Sequence, residues 1–257
     1  MSFSNPMLNE KTFASERWEG VMNQIDSSVP KTMTVGGVVN KTVFLFGFCL
    51  LGAVVSWMLV EKGIVHAGLL TLIGSLGGFV LSLIVAFSGK MAKWLGAPFA
   101  LLEGVFVGAL SILLNARFEG IVTTAVLITF GVFIGAIIVY RAGWIRLGKT
   151  ARSILFMAMI GISLTYLASF ILGMIPGMNS SSFMAIHKGG VIGIVFSGVV
   201  VFFAVMSLFN SIQIVDEGVQ SGAPKDFEWV ASFGLLSSLV FLYVEILKLL
   251  AKLQSRD

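Results

Sequence analysis

The stretch GVIGIVFSGVVVFFAVMSLFNSIQ, residues 190–213, runs for 24 residues without a charged side chain. At about 1.5 Å per residue, a helix of that length covers roughly 36 Å, enough to cross a hydrocarbon core of about 30 Å. Working outward from it, the chain holds six more long apolar runs with at most two charges each, at about 43–60, 66–87, 97–115, 121–140, 153–175 and 229–250. Lipid offers the backbone no hydrogen-bond partner, so every such run must be helical. The sequence therefore predicts an all-α integral membrane protein with seven transmembrane helices.

Composition points the same way. The 257 residues are 57% hydrophobic and 12% charged, with a mean hydropathy of +0.98, whereas a soluble domain carries about 25% charged residues. Of the 30 charges, only Glu103, Glu245 and Lys248 fall inside the seven runs. Residues 1–40 form a polar N-terminal segment, and 41–257 a transmembrane domain. Because the polar segment comes first, the sequence predicts a signal anchor in the first span rather than a cleaved secretory signal. With the N-terminus inside, 11 of the 17 basic residues lie on the cytoplasmic side, most tellingly in the Arg141–Arg152 loop. This bias predicts a cytoplasmic N-terminus. The basic residues are then topology signals, so no nucleic-acid partner is expected. Cys49, the single cysteine, reads as a small core residue and supports neither a disulfide within the chain nor a metal site.

The 29 glycines suit a membrane bundle, where small residues let helices approach closely. GxxxG spacing occurs at Gly74/Gly78, Gly104/Gly108, Gly131/Gly135, Gly173/Gly177 and Gly189/Gly193. It predicts close contacts for the second, third, fourth and sixth helices within a monomer. Pro176, Gly177 and the polar residues Asn179–Ser182 mark the loop between the fifth and sixth spans, and His187 and Lys188 cap the next span.

An ionisable group at the bilayer centre costs about 3 kcal/mol or more, so each one needs a reason. Glu103 is the deepest, on the edge of a helical face shared with Gly104, Gly108, Ser111 and Asn115. That face is expected to point into the bundle. On the seventh helix, Gly234, Ser238, Phe241, Glu245, Lys248 and Lys252 share a stripe, and Glu245 and Lys248, three residues apart, can pair. At the end of the sixth helix, Asn210, Ser211, Gln213, Asp216 and Glu217 lead into a loop with Asp226 and Glu228. Four acids there face one base, Lys225; either a divalent cation is drawn to this patch or it is an acidic loop with no ligand.

The segments SNPMLNEKTF (4–13), MTVGGVVNKT (33–42), APFALLEGVFVGALS (97–111), YRAGWIR (140–146) and EGVQSGAPKDFEWVASFGLLSSLVFLYVEILKLLAKLQSRD (217–257) resemble the bacterial branch of the Bax inhibitor-1 like family of transmembrane proteins, part of the transmembrane BAX inhibitor motif superfamily. The resemblance implies seven helices with a central one surrounded by the others, in a bacterial inner membrane. It also implies calcium leak gated by pH through two hydrogen-bonded aspartates on the last two helices, or modulation of a membrane-bound protease. The first aspartate position falls at Asn210 or Ser211, and the second at Glu245 or Ser237, depending on register. By depth along antiparallel helices, Asn210 and Glu245 lie about 20 Å apart, so they are not expected to meet. Ser237 and Ser238 lie near the depth of Glu103.

The expectation from these residues is a pH-sensitive calcium or cation leak channel, with Ca2+ as permeant ion and no cofactor, in which Glu103 beside Ser237 or Ser238 replaces the paired aspartates. The alternative is a non-conducting partner of a membrane protease or another membrane protein. No enzymatic role is expected, because the sequence offers no nucleophile with a matched base, no metal-ligand cluster and no phosphate-cradling loop.

Overall fold

A computed structural model describes residues 32–174 and 190–255. The helices are α1 (Val35–Glu61), α2 (Ala67–Phe87), α3 (Ala92–Asn115), α4 (Ile121–Arg141), α5 (Lys149–Met174), α6 (Val191–Gln220) and α7 (Phe227–Gln254), with a short 3-10 turn, Gly89–Met91, ahead of α3. All seven are long and apolar enough to cross a membrane. The interhelical loop around Pro176 and His187, one member of each of the glycine pairs Gly173/Gly177 and Gly189/Gly193 (Gly177 and Gly189), and most of the polar segment lie outside the described residues.

Several helices extend past the uncharged runs. α1 begins at Val35 rather than in the forties, taking in the last residues of the polar segment, and α6 continues through Asp216 and Glu217 to Gln220. Charge excludes a residue from hydrocarbon, not from a helix, so the helices carry their charged turns into the interface. The start of α1 is set by Thr34, whose backbone is extended and whose side-chain oxygen accepts the Gly37 N–H at 3.0 Å. Its end is a Schellman turn: Gly63, at φ +68°, lets its own N–H reach Val60 O and the Ile64 N–H reach Leu59 O. α6 ends the same way at Gly222, which turns the chain so that Ala223 O accepts the Met33 N–H at 2.7 Å.

α7 is the central helix. In its most apolar window 61% of residues are buried, against at most 33% in any other span. It packs against α1, α3, α4 and α6 and buries Leu236, Leu239, Leu242, Tyr243 and Leu247 around its circumference. The outer helices turn Val54, Leu127, Phe156 and Phe202 outward, toward lipid. The Phe99 and Phe233 rings, with centroids 4.1 Å apart, join α3 to α7.

The glycine motifs are correct for some helices and wrong for another. Cβ atoms at Gly104 and Gly108 would run into the α1 backbone at Cys49 and Ala53, and one at Gly74 would meet Phe106 on α3. These glycines set the α1–α3 and α2–α3 spacing. A methyl group at Gly131 or Gly135 on α4 would have nothing within 4 Å, so this pair mediates no close approach. Spacing alone does not say which way a glycine stripe faces. α1, which carries no GxxxG pair, also packs tightly through Gly52, where a Cβ would run into the Leu101 carbonyl.

Candidate functional site

Glu103 lies midway along α3, its carboxylate in the notch left by Gly78 of α2, where an added Cβ would lie 3.2 Å from Oε1. It borders a cavity of about 210 Å³ whose wall also includes Tyr166, Ser237, Glu245 and Lys248. Among the described residues, no side chain bonds to the Glu103 carboxylate.

Across the cavity, Glu245 is completely buried. It accepts hydrogen bonds from Tyr166 Oη at 2.7 Å and from Lys248 Nζ at 2.9 Å. The expected pairing of Glu245 with Lys248 is present, and Lys248 Nζ also sits 4.2 Å from the centre of the Tyr166 ring. The sequence reading missed Tyr166. Its only signal was a phenol within an uncharged run, which says nothing about the carboxylate 79 residues away that it bonds.

Ser237 and Ser238 have parted company, as neighbours on a helix do. Ser237 bonds back to Phe233 O at 2.9 Å and borders the Glu103 cavity. Ser238 turns to α6 instead, lying 2.7 Å from Ser211 Oγ and 3.4 Å from Ser207 Oγ. Ser211 with Ser238 is thus one hydrogen-bonded pair joining the last two helices, and Lys252 Nζ, 2.7 Å from Ser197 Oγ, makes another. Asn210, the alternative to Ser211, has a buried Oδ1 with no hydrogen-bond partner among the described residues.

The acidic patch expected at the end of α6 does not form as one group. Asp216 accepts from Tyr140 Oη at 2.7 Å and from Gln220. Glu217 pairs with Arg152 and accepts from Gln213 Nε2 at 3.0 Å, while Gln213 also holds both backbone groups of Leu147. Glu228 is fully buried and pairs with Lys41. The bases come from α1 and α5, far away in sequence, which is why a local count found only Lys225. No cluster of three acidic, histidine or cysteine side chains suited to a metal occurs among the described residues.

From the end where α1 begins, the polar groups therefore follow one another along α6 and α7: Glu217 with Arg152, Gln213, Ser211 with Ser238, Asn210, the cavity lined by Ser237 and Glu103, and Glu245 with Tyr166 and Lys248. A family model described as Bax inhibitor 1 like matches residues 5–255. The chain belongs to the Bax inhibitor 1 like family. No curated protein and no solved structure matches it significantly. In this family member the Ser211–Ser238 contact between the last two helices is a pair of hydroxyls, which do not titrate, and Lys252 bonds Ser197 of α6 elsewhere along the same two helices.

Proposed function

We propose that this Bax inhibitor 1 like protein is a pH-sensitive cation leak pathway, with calcium as the permeant ion, running along α7 from its contact with α6 to the cavity it shares with α3 and α5. The observation that carries the reading is the Glu103 carboxylate, without a bonded partner among the described residues and facing a cavity midway through its span. Carboxylates are rare inside membranes because of their cost, and those that persist usually mark ion or proton pathways. Glu103 and Glu245 on opposite sides of one cavity offer oxygen ligands of the kind calcium takes. The ion pairs Arg152–Glu217 and Lys41–Glu228 lie across the end where α1 begins, as in a shut state. The bias of Lys and Arg in the sequence favours the cytoplasm for that end. The reading assigns no catalytic role and no bound cofactor.

Calcium flux into liposomes containing only this protein, measured across a pH series, tests the reading. Wild type is expected to conduct with a pH-dependent rate, and Glu103→Gln to lose that dependence. An unchanged flux and pH response in Glu103→Gln overturns the role of Glu103.

A second reading is favoured by one observation: Ser211 and Ser238 satisfy each other, so the seam of α6 and α7 is stitched rather than open. In that reading the protein is a non-conducting partner of a membrane-bound protease or other membrane protein. Zero flux at every pH, together with a co-purifying protease, supports it over the first.

A further inference from the structure

A second and larger cavity, about 460 Å³, lies on the other flank of α7, walled by α1, α3, α4 and α7. It takes no part in the polar column. Along α1 its wall runs from Phe46 to Glu61, about 22 Å at the helical rise. One leaflet including its headgroups measures about 20–22 Å. The inner end is closed by the Phe46 and Phe130 rings, which meet edge to face with centroids 6.1 Å apart. Above that contact the walls open sideways, with Leu50, Val54 and Met58 about half exposed. The groove thus runs about 22 Å inward from its Glu61 end, closed at the Phe46–Phe130 contact and open sideways between the helices.

Two polar features mark its upper part. Glu61 lies in the wall at the mouth, and Lys62, the next residue along the chain and exposed, lies outside the wall. On the inner wall, Ser111 Oγ and Tyr243 Oη lie 2.7 Å apart and buried. Two hydroxyls bring two protons and their mutual bond uses one, leaving one O–H to donate elsewhere. No acceptor for it occurs among the described residues.

We infer that this groove holds one acyl chain of a zwitterionic phospholipid with an amine headgroup. The chain fills the apolar length down to Phe46 and Phe130. The ammonium meets Glu61, the phosphate meets Lys62, and the spare hydroxyl proton of the Ser111–Tyr243 pair faces the ester carbonyl. A long, apolar slot suits a lipid tail better than a compact solute, and a carboxylate at its mouth with a lysine next along the chain complements a zwitterion better than an anionic headgroup.

Native mass spectrometry of the purified full chain, titrated with phosphatidylethanolamine and phosphatidylglycerol together, tests this. Wild type is expected to keep one phosphatidylethanolamine at an activation energy that strips all other lipid. Val126→Trp, which fills the groove from α4, is expected to lose it. Leu127→Trp, at a neighbouring site that is 69% exposed and outside the groove wall, is expected to keep it. Glu61→Gln is expected to lower the preference for phosphatidylethanolamine roughly threefold, the size of an exposed ion pair. The absence of a retained lipid in wild type overturns the inference whether or not the variants fold. So does equal retention of phosphatidylglycerol, full occupancy in a folded Val126→Trp, or a lipid-free dimer.

Discussion

Lys41, in the second turn of α1, forms an ion pair with Glu228, the second residue of α7, and Glu228 is completely buried. The same carboxylate accepts the Thr34 N–H at 3.0 Å and the Thr34 hydroxyl at 3.1 Å, and Gly37 leaves the room it occupies. The start of the first span is thereby fastened to the start of the central one.

Removing one member of a buried pair leaves the other charge uncompensated. Lys41→Met is expected to destabilise the protein by about 3–5 kcal/mol, and Lys41→Met with Glu228→Met to regain most of it. Arg152→Ala breaks a pair whose members are 31% and 49% exposed, for less than about 1 kcal/mol. Unfolding in detergent, followed by circular dichroism, measures all three; a double variant no better than Lys41→Met contradicts the expectation.

The Glu245–Lys248 pair is asymmetric, since the side chains are 1% and 32% exposed respectively. Without Glu245, Lys248 can extend toward the interface. Without Lys248, Glu245 still accepts from the Tyr166 hydroxyl but is left as a buried carboxylate without the cation that is hydrogen-bonded to it. Lys248→Met is therefore expected to destabilise more than Glu245→Gln, by a margin thermal unfolding resolves. The reverse order shows that the lysine is the charge held in place.

Gly104 and Gly131 separate two uses of the same residue. Gly104→Val drives a side chain into the Cys49 carbonyl and is expected to cost about 1–3 kcal/mol or more, as overpacking does. Gly131→Ala meets open space and is expected to be neutral or stabilising by up to about 1 kcal/mol through helix propensity. Equal melting temperatures for the two variants contradict the assigned helix contacts.

The hydroxyl pair Ser211–Ser238 is expected to couple weakly. A double-mutant cycle with Ser211→Ala and Ser238→Ala should give about 0.6 kcal/mol, the average for hydrogen bonds between membrane helices. A coupling near zero shows that Ser238 relies on Ser207 instead.

Legibility in the sequence followed the range of the interaction. Glu245 and Lys248 are one turn apart, so helical spacing was enough to pair them. Ser211 and Ser238 are 27 residues apart on different helices, and depth arguments placed Ser237 and Ser238 near Glu103 without saying which serine faced it. The acids at the end of α6 were read as a patch because the partners of Glu228 and Glu217, Lys41 and Arg152, are respectively 187 and 65 residues distant.

The sequence by itself determined the seven spans, the helical class and the depth of Glu103, because the cost of exposing charge or unbonded backbone to hydrocarbon falls on each residue separately. Only the tertiary structure decided that α7 takes the centre, that Gly104 faces α1 while Gly131 faces open space, and that Tyr166 reaches Glu245. Those outcomes depend on how helices rotate and lean against one another, and hydropathy along a single chain carries no information about rotation around a neighbour.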